Sequence, residues 1–320
     1  MNATREVPAW KKSIFNLDSG FKGLMTLAGV VVLGVVGLIV AELMQRSSLA
    51  WQKFGFHFFF GSEWDPVSGS FGALPFAYGT IVSSLVALVI AVPLAIAVAV
   101  FVTEMCPRSL RKPISYATEL LAAIPSVIYG LWAIFVLVPL LRQYVEPWLM
   151  KYFSWTGLFA GPAYGIGMLA AGTVLAIMIT PIISSITREV LSVVPQQQRE
   201  AALALGATRW EMVRIAVLRN ARAGIMGAVI LGLGRALGET IAVTMVIGNA
   251  PHIAKSLLAP GYTMASVIAN EFAEATGDLY LSALMEIGLA LFIVTIIVNI
   301  LAGLMVWTVT RGTPVRAHGQ

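Results

Sequence analysis

Arg235 and Glu239 stand four residues apart in the stretch GLGRALGETIAV, residues 232 to 243, within a run that is otherwise apolar. On a helix that spacing brings both side chains to one face. A guanidinium offers a planar fork that fits two oxygens of an oxyanion, so Arg235 is a candidate anion contact. The competing reading is an intrahelical pair that only neutralises itself. Against it, the favourable order puts the acid first, and such a pair contributes only about 0.2–0.5 kcal/mol on a helix surface. An arginine at hydrocarbon depth costs roughly 3 kcal/mol on insertion scales. It must therefore face protein, water or an anion.

The chain that positions this pair is a membrane protein by composition. Of 320 residues, 58% are hydrophobic and only 12% charged, and the mean hydropathy is +0.85, which no soluble single-core domain matches. Apolar stretches long enough to cross a hydrocarbon core, about 20 residues each, run over 23–41, 79–102, 120–141, 163–186, 224–248 and 287–310. The first follows Lys11, Lys12 and Lys22 as a signal peptide would, but it is longer and lacks a small-residue cleavage site, so a retained membrane helix is expected. Arg235 is eleven residues into the fifth stretch, about 16 Å along a helix and near the middle of a ~30 Å core.

Lys and Arg fall unevenly on the two sides. Arg5, Lys11, Lys12 and Lys22 at the N-terminus, Arg108, Arg111 and Lys112, six arginines in the 187–223 loop, and Arg311 and Arg316 in the tail make fifteen of the 21. Arg46, Lys53, Arg142, Lys151 and Lys255 lie on the other side. The excess marks the cytoplasmic face, so both termini are expected there, and the net charge of +5 reflects topology rather than a nucleic-acid partner. Cys106 is the single cysteine and His57, His252 and His318 have no ligand spacing, so no metal site and no disulfide is expected. The outward segments near 44–78 and 249–280 are long. The first carries Phe54, Phe56, Phe58, Phe59, Phe60 and Trp64, which fits an interfacial aromatic belt, or else an apolar docking or gating surface. Glu63, Asp65, Glu271, Glu274 and Asp278 cluster on the same side, where solvated acids are expected.

In the loop PQQQREAALALGATRWEMVRIAVLRN, the residues after Pro195 read as a helix that Gly206 ends. Thr208 with Glu211 three residues later is a capping box, so a second helix should start there and present Trp210, Val213 and Val217 to a neighbour. Six arginines would suit a segment resting on anionic lipid, but Ala201, Ala202 and Ala204 suit close approach to another protein. No GxxxxGK[ST] string occurs, so the chain does not supply an ATP site by that motif. Gly234 and Gly238 have the small-x3-small spacing of close helix packing, and Pro93, Pro125, Pro139 and Pro181 fall within or at the ends of spans, where kinks are tolerated.

Glu200, Ala201 and Ala202 followed by Gly206 resemble the EAA loop through which membrane subunits of ATP-binding-cassette importers touch their ATPase subunits. The family's proline after Ile-x-x-Leu is replaced here by Arg219. Over most of the chain, GALPFAYGTIVSSLVALVIAVPLAIAVAVFVTE (72–104), ELLAAIPSVIYGLW (119–132), GLGRALGETIAVTMVIGN (232–249) and ANEFAEA (269–275) are similar to the PstC family of high-affinity phosphate-importer permeases. The resemblance implies an all-α polytopic fold with six transmembrane helices, that of type I ABC importer permeases (MetI-like). It divides the chain into a cytoplasmic segment 1–22, a first helix 23–43, a periplasmic segment 44–74, a transmembrane domain 75–310 holding the coupling loop 187–223, and a tail 311–320. It implies a PstA-like permease partner, a PstB-like ATPase dimer that binds the ATP and Mg, and a PstS-like periplasmic phosphate-binding protein, in the bacterial inner membrane. For a phosphate path the pair at 235 and 239 makes chemical sense. Phosphate near neutral pH carries a proton that a carboxylate can accept in a hydrogen bond, whereas sulfate carries none and would be repelled. A permease for another oxyanion is the nearest alternative. A secondary transporter would call for repeats that the two halves lack, and a membrane enzyme for more chemistry than one Arg and Glu pair supplies.

Overall fold

The computed structural model describes the backbone of residues 9–310 and the side chains of residues 20–308. The expected tail 311–320 lies outside the described residues, with Arg311, Arg316 and His318, and so do Arg5 and the side chains of Lys11 and Lys12. Six helices among the described residues are long and apolar enough to cross a membrane: Gly20–Arg46, Leu74–Met105, Ser126–Thr156, Met168–Ser192, Arg209–Leu237 and Asp278–Thr308. They match the six expected stretches in number and order, with shifted ends. The third span starts only after Ile124 and Pro125, where extended backbone separates it from the amphipathic helix Arg108–Ala123, because a residue before proline avoids the helical region. The fourth starts at Met168 rather than 163, since Gly161, Gly165 and Gly167 hold positive φ just before it.

The fourth span is the centre of the bundle: 67% of its apolar window is buried, against 0% for the first span and 6% for the sixth. Its neighbours approach through glycine. A Cβ at Gly172 would lie 2.4 Å from Val86 Cγ1 of the second span, and a Cβ at Gly232 of the fifth would lie 2.7 Å from Ile183. Small residues at crossings give membrane helices their dispersion contact where the solvent offers no hydrophobic drive. Gly234 and Gly238 do not serve this end within the chain: a Cβ at Gly234 would meet nothing within 4 Å, and one at Gly238 only Gly234 O at 3.7 Å. The packing glycine of that segment is Gly232.

On the side opposite the coupling loop, the two long segments fold onto each other. Trp64–Asp65 and Ser70–Phe71 pair as a short antiparallel hairpin, Trp64 opposite Phe71. Phe54, Phe58, Trp64, Phe71, Phe76, Tyr262 and Tyr280 form a chain of edge-to-face, tilted and stacked rings. The expected aromatic belt is thus divided: Phe58 and Trp64 are core, and Phe56 and Phe60 stay outside. Glu271 is not merely solvated, since its Oε2 accepts from Trp64 Nε1 at 2.8 Å and from the Tyr280 hydroxyl at 2.6 Å. Burial pushes the Tyr262 hydroxyl up to about 12, so it is protonated throughout the physiological range.

The tightest approach is between Gly79 and the Tyr262 carbonyl, where a Cβ would sit 2.1 Å from the oxygen. Backbone cannot yield there as a side chain end would, so Gly79→Ala is expected to cost about 1–3 kcal/mol or more by overpacking. A melting curve of the purified chain in detergent, lowered relative to wild type by several degrees, checks this.

Candidate functional site

The fifth span is continuous from Arg209 to Leu237 and then breaks. Gly238 caps it, Glu239 N reaches back only to Ala236 O at 3.5 Å, and Thr240 caps the start of a short helix Ile241–Val246. The expected single span over 224–248 is therefore two helices. Arg235 lies in the last turn of the first, and Glu239 lies in the break rather than one turn further along a helix. Gly238, which stabilises a helix interior poorly, is followed by a glutamate whose own side chain accepts, at 3.5 Å, from Ala242 N of the short helix.

Arg235 and Glu239 still meet, Nη2 to Oε2 at 3.6 Å, but unequally. The Glu239 side chain is 6% exposed and the Arg235 side chain 46%. The guanidinium makes no hydrogen bond among the described residues beyond that long contact, so its donors are not consumed. Leu231, Arg235 and Gly238 are exposed on one face with the half-buried Gly234. A stripe of this kind on a membrane-spanning helix cannot be matched by lipid around the guanidinium. It is built for a second protein surface or a polar path.

The 187–223 loop folds as the expected helix, turn and helix. Gln196–Ala204 is helical, and Gly206 at φ +88 turns the chain, a conformation that costs other residues roughly 1–2 kcal/mol. Nothing lies within 4 Å of a Cβ there, so backbone conformation alone calls for glycine. Thr208 and Glu211 form the capping box, each side chain bonding the other's backbone N–H. Val213 and Val217 are buried in the apolar cluster beneath. Trp210 is not; it is 57% exposed, beside Leu205 at 90%. Glu200 and Ala201 are exposed and Ala202 is half-buried. The tip of the loop thus presents an apolar surface that none of the described residues covers. Where the resemblance led to a proline being expected, the fifth span runs through Arg219 unbroken, because arginine keeps the backbone N–H that proline lacks.

Two residues at this end were not singled out by sequence reasoning for a role at the site. Arg199 Nη2 meets Glu104 Oε1 at 3.0 Å, with side-chain exposures of only 13% and 9%. The same guanidinium donates to Leu191 O at 2.9 Å and to Val194 O. The partners lie up to 95 residues apart in the chain, and no local spacing announces such a pair.

Residues 91–311 match the family model described as binding-protein-dependent transport system inner membrane component. The chain is 48% identical to the phosphate transport system permease protein PstC of Mesorhizobium japonicum over 92% of each chain, and 48% identical to the protein of the same name from Xylella fastidiosa, also over 92% of each. Among solved structures it resembles a chain of a bacterial ABC transporter involved in the import of the acidic polysaccharide alginate, with a TM-score of 0.61 at 15% identity, covering 92% of this chain and 99% of that one. The last likeness concerns the fold alone.

Proposed function

We propose, for a chain that belongs to the PstC family of phosphate transport system permeases, within the binding-protein-dependent inner membrane components, that Arg235 and Glu239 line the path of the anion. We propose further that the turn of Glu200, Ala201, Ala202 and Gly206 meets a separate ATPase, through exposed Glu200 and Ala201, while half-buried Ala202 seats the helix on this chain. The chain is a multi-pass permease subunit of an ABC importer, and phosphate is its cargo. The observation that carries the path reading is the half-exposed guanidinium of Arg235 on the uncovered stripe of the fifth span. In this reading a PstA-like permease covers that stripe and the two chains enclose the path between them. A PstB-like ATPase dimer, holding ATP and Mg, meets the exposed tip at Leu205 and Trp210. A PstS-like binding protein delivers phosphate on the opposite side, where the Trp64, Tyr280 and Glu271 cluster knits the two long segments into one surface. The positive charge of the coupling-loop side supports placing that side, and both termini, in the cytoplasm of a bacterial inner membrane.

The mechanism is alternating access. Closure of the ATPase dimer moves the two coupling helices, the permease pair opens outward, and released phosphate exchanges water for the Arg235 fork. Glu239 accepts the hydrogen bond of the phosphate's own proton. Hydrolysis and reopening return the path to the inside. The test is ATP-driven uptake of labelled phosphate into proteoliposomes holding the full importer, with sulfate added in excess. Uptake that sulfate leaves unchanged is the expected result, and uptake that falls in step with added sulfate would assign the path to oxyanions in general. Arsenate, which shares phosphate's protonation, is expected to compete.

A further inference from the structure

The helix Gln196–Ala204, which is proposed above to receive the ATPase's movement, buries none of its residues. Beneath it lies a cavity of about 1040 Å³ lined by Glu104, Arg188, Gln196, Arg199, Leu203 and Val213 among others. Its apolar contact with the cluster below is Ala202, a single methyl group. A push on this helix therefore has little close packing through which to reach the second and fourth spans, because the space toward them is open.

What ties the helix down is polar. Arg199 donates to Leu191 O and Val194 O, the carbonyls at the end of the fourth span and just beyond it, and pairs with Glu104 at the end of the second span. One guanidinium thus holds two membrane helices through three of its bonds. Gln198, one residue earlier, accepts from Asn220 Nδ2 at 2.6 Å at the start of the apolar part of the fifth span. The two residues differ in weight. The Arg199 and Glu104 side chains are largely buried at the cavity wall, where charge-assisted bonds are stronger than in open water and their loss leaves a charge unpaired. Gln198 and Asn220 are exposed to water. Guanidinium suits the task because its fixed fork holds several acceptors in set directions, which a lysine cannot.

We propose that Arg199 is the positioning residue that transmits motion of the coupling helix to the second and fourth membrane helices, with Glu104 as its counterpart. This rests on the reading of the Gln196–Ala204 helix as the ATPase contact. The joint differs from that contact: one face of the helix meets the partner, and Arg199 fastens the other to the bundle.

The experiment uses the whole importer in proteoliposomes and reads phosphate taken up per ATP hydrolysed. Arg199→Ala is expected to lower that ratio about tenfold, in the range by which residues remote from both ligands alter coupling. Glu104→Gln, which keeps an oxygen acceptor and leaves both carbonyl bonds intact, is expected to lower it about threefold, and Arg199→Lys to fall between Arg199→Ala and wild type. A merely structural role would lower uptake and hydrolysis in step, and an unchanged ratio in Glu104→Gln and Arg199→Lys overturns the proposal even if Arg199→Ala does not assemble. A cysteine introduced by Ala201→Cys, in a Cys106→Ala background, tests the underlying contact separately. Cross-linking to the ATPase in wild type and in Arg199→Ala supports it, and no cross-link in wild type overturns the contact and the transmission built on it.

Discussion

Replacing Arg235 by glutamine is expected to reduce ATP-driven phosphate uptake to about one hundredth of wild type or less, with the complex still assembled and its ATPase still active. The two bonds of the guanidinium fork to the anion are charge-assisted and contribute about 1.5–3 kcal/mol each, so their loss together exceeds the roughly 2.7 kcal/mol that corresponds to a hundredfold change. The fold does not share the loss. Arg235 makes a single long contact, 3.6 Å to Glu239, and its side chain is half outside the bundle, so glutamine in its place leaves no cavity. Uptake by the reconstituted importer, set beside the amount of complex recovered, checks the result. Unchanged uptake would return the two charges to the status of a helix-end ion pair and leave the family membership as it stands.

Glu239→Gln is expected to lower the preference for phosphate over sulfate by about 10- to 100-fold while phosphate uptake persists. A buried carboxylate facing an anion without a proton leaves repulsion and an unpaired acceptor, each costing about 1–3 kcal/mol, and 1.4 kcal/mol is a factor of ten. The amide removes the charge and offers donors that sulfate can use. It also retains an oxygen for Ala242 N, so the start of the short helix after the break is preserved and the substitution isolates the charge. Competition of labelled phosphate by sulfate in the variant checks it. If sulfate remains without effect, Glu239 serves the backbone turn alone and selection against sulfate lies elsewhere in the path.

Hydropathy made the six spans legible because lipid imposes the same demand on every crossing helix, and the 187–223 loop was legible because Thr208, Glu211 and Gly206 act through local backbone chemistry. The break at Gly238 was not. Hydropathy sums side chains and is blind to whether the backbone beneath them is continuous, so 224–248 reads as one span although Glu239 interrupts it. The glycine spacing did not reveal the packing within this chain for a related reason: Gly234 and Gly238 satisfy a packing pattern, but Gly232 is the residue that faces Ile183, and facing is a tertiary fact. Glu271 and the buried aromatics around Trp64 were hidden likewise, since their partners come from the far end of the chain. Arg235 and Glu239 stood out for the opposite reason, as charges are rare where lipid is the solvent.

The uncovered stripe through Leu231, Gly234, Arg235 and Gly238 also governs how the chain must be made. A helix whose end exposes a guanidinium is released from the insertion machinery with a penalty of roughly 3 kcal/mol that lipid cannot offset, so an unpaired copy is a poorly housed one. On the reading proposed above, co-synthesis with the second permease that covers the stripe then becomes a condition of residence in the bilayer. The charge proposed to meet the anion would thus also make an orphan subunit chemically visible to quality control.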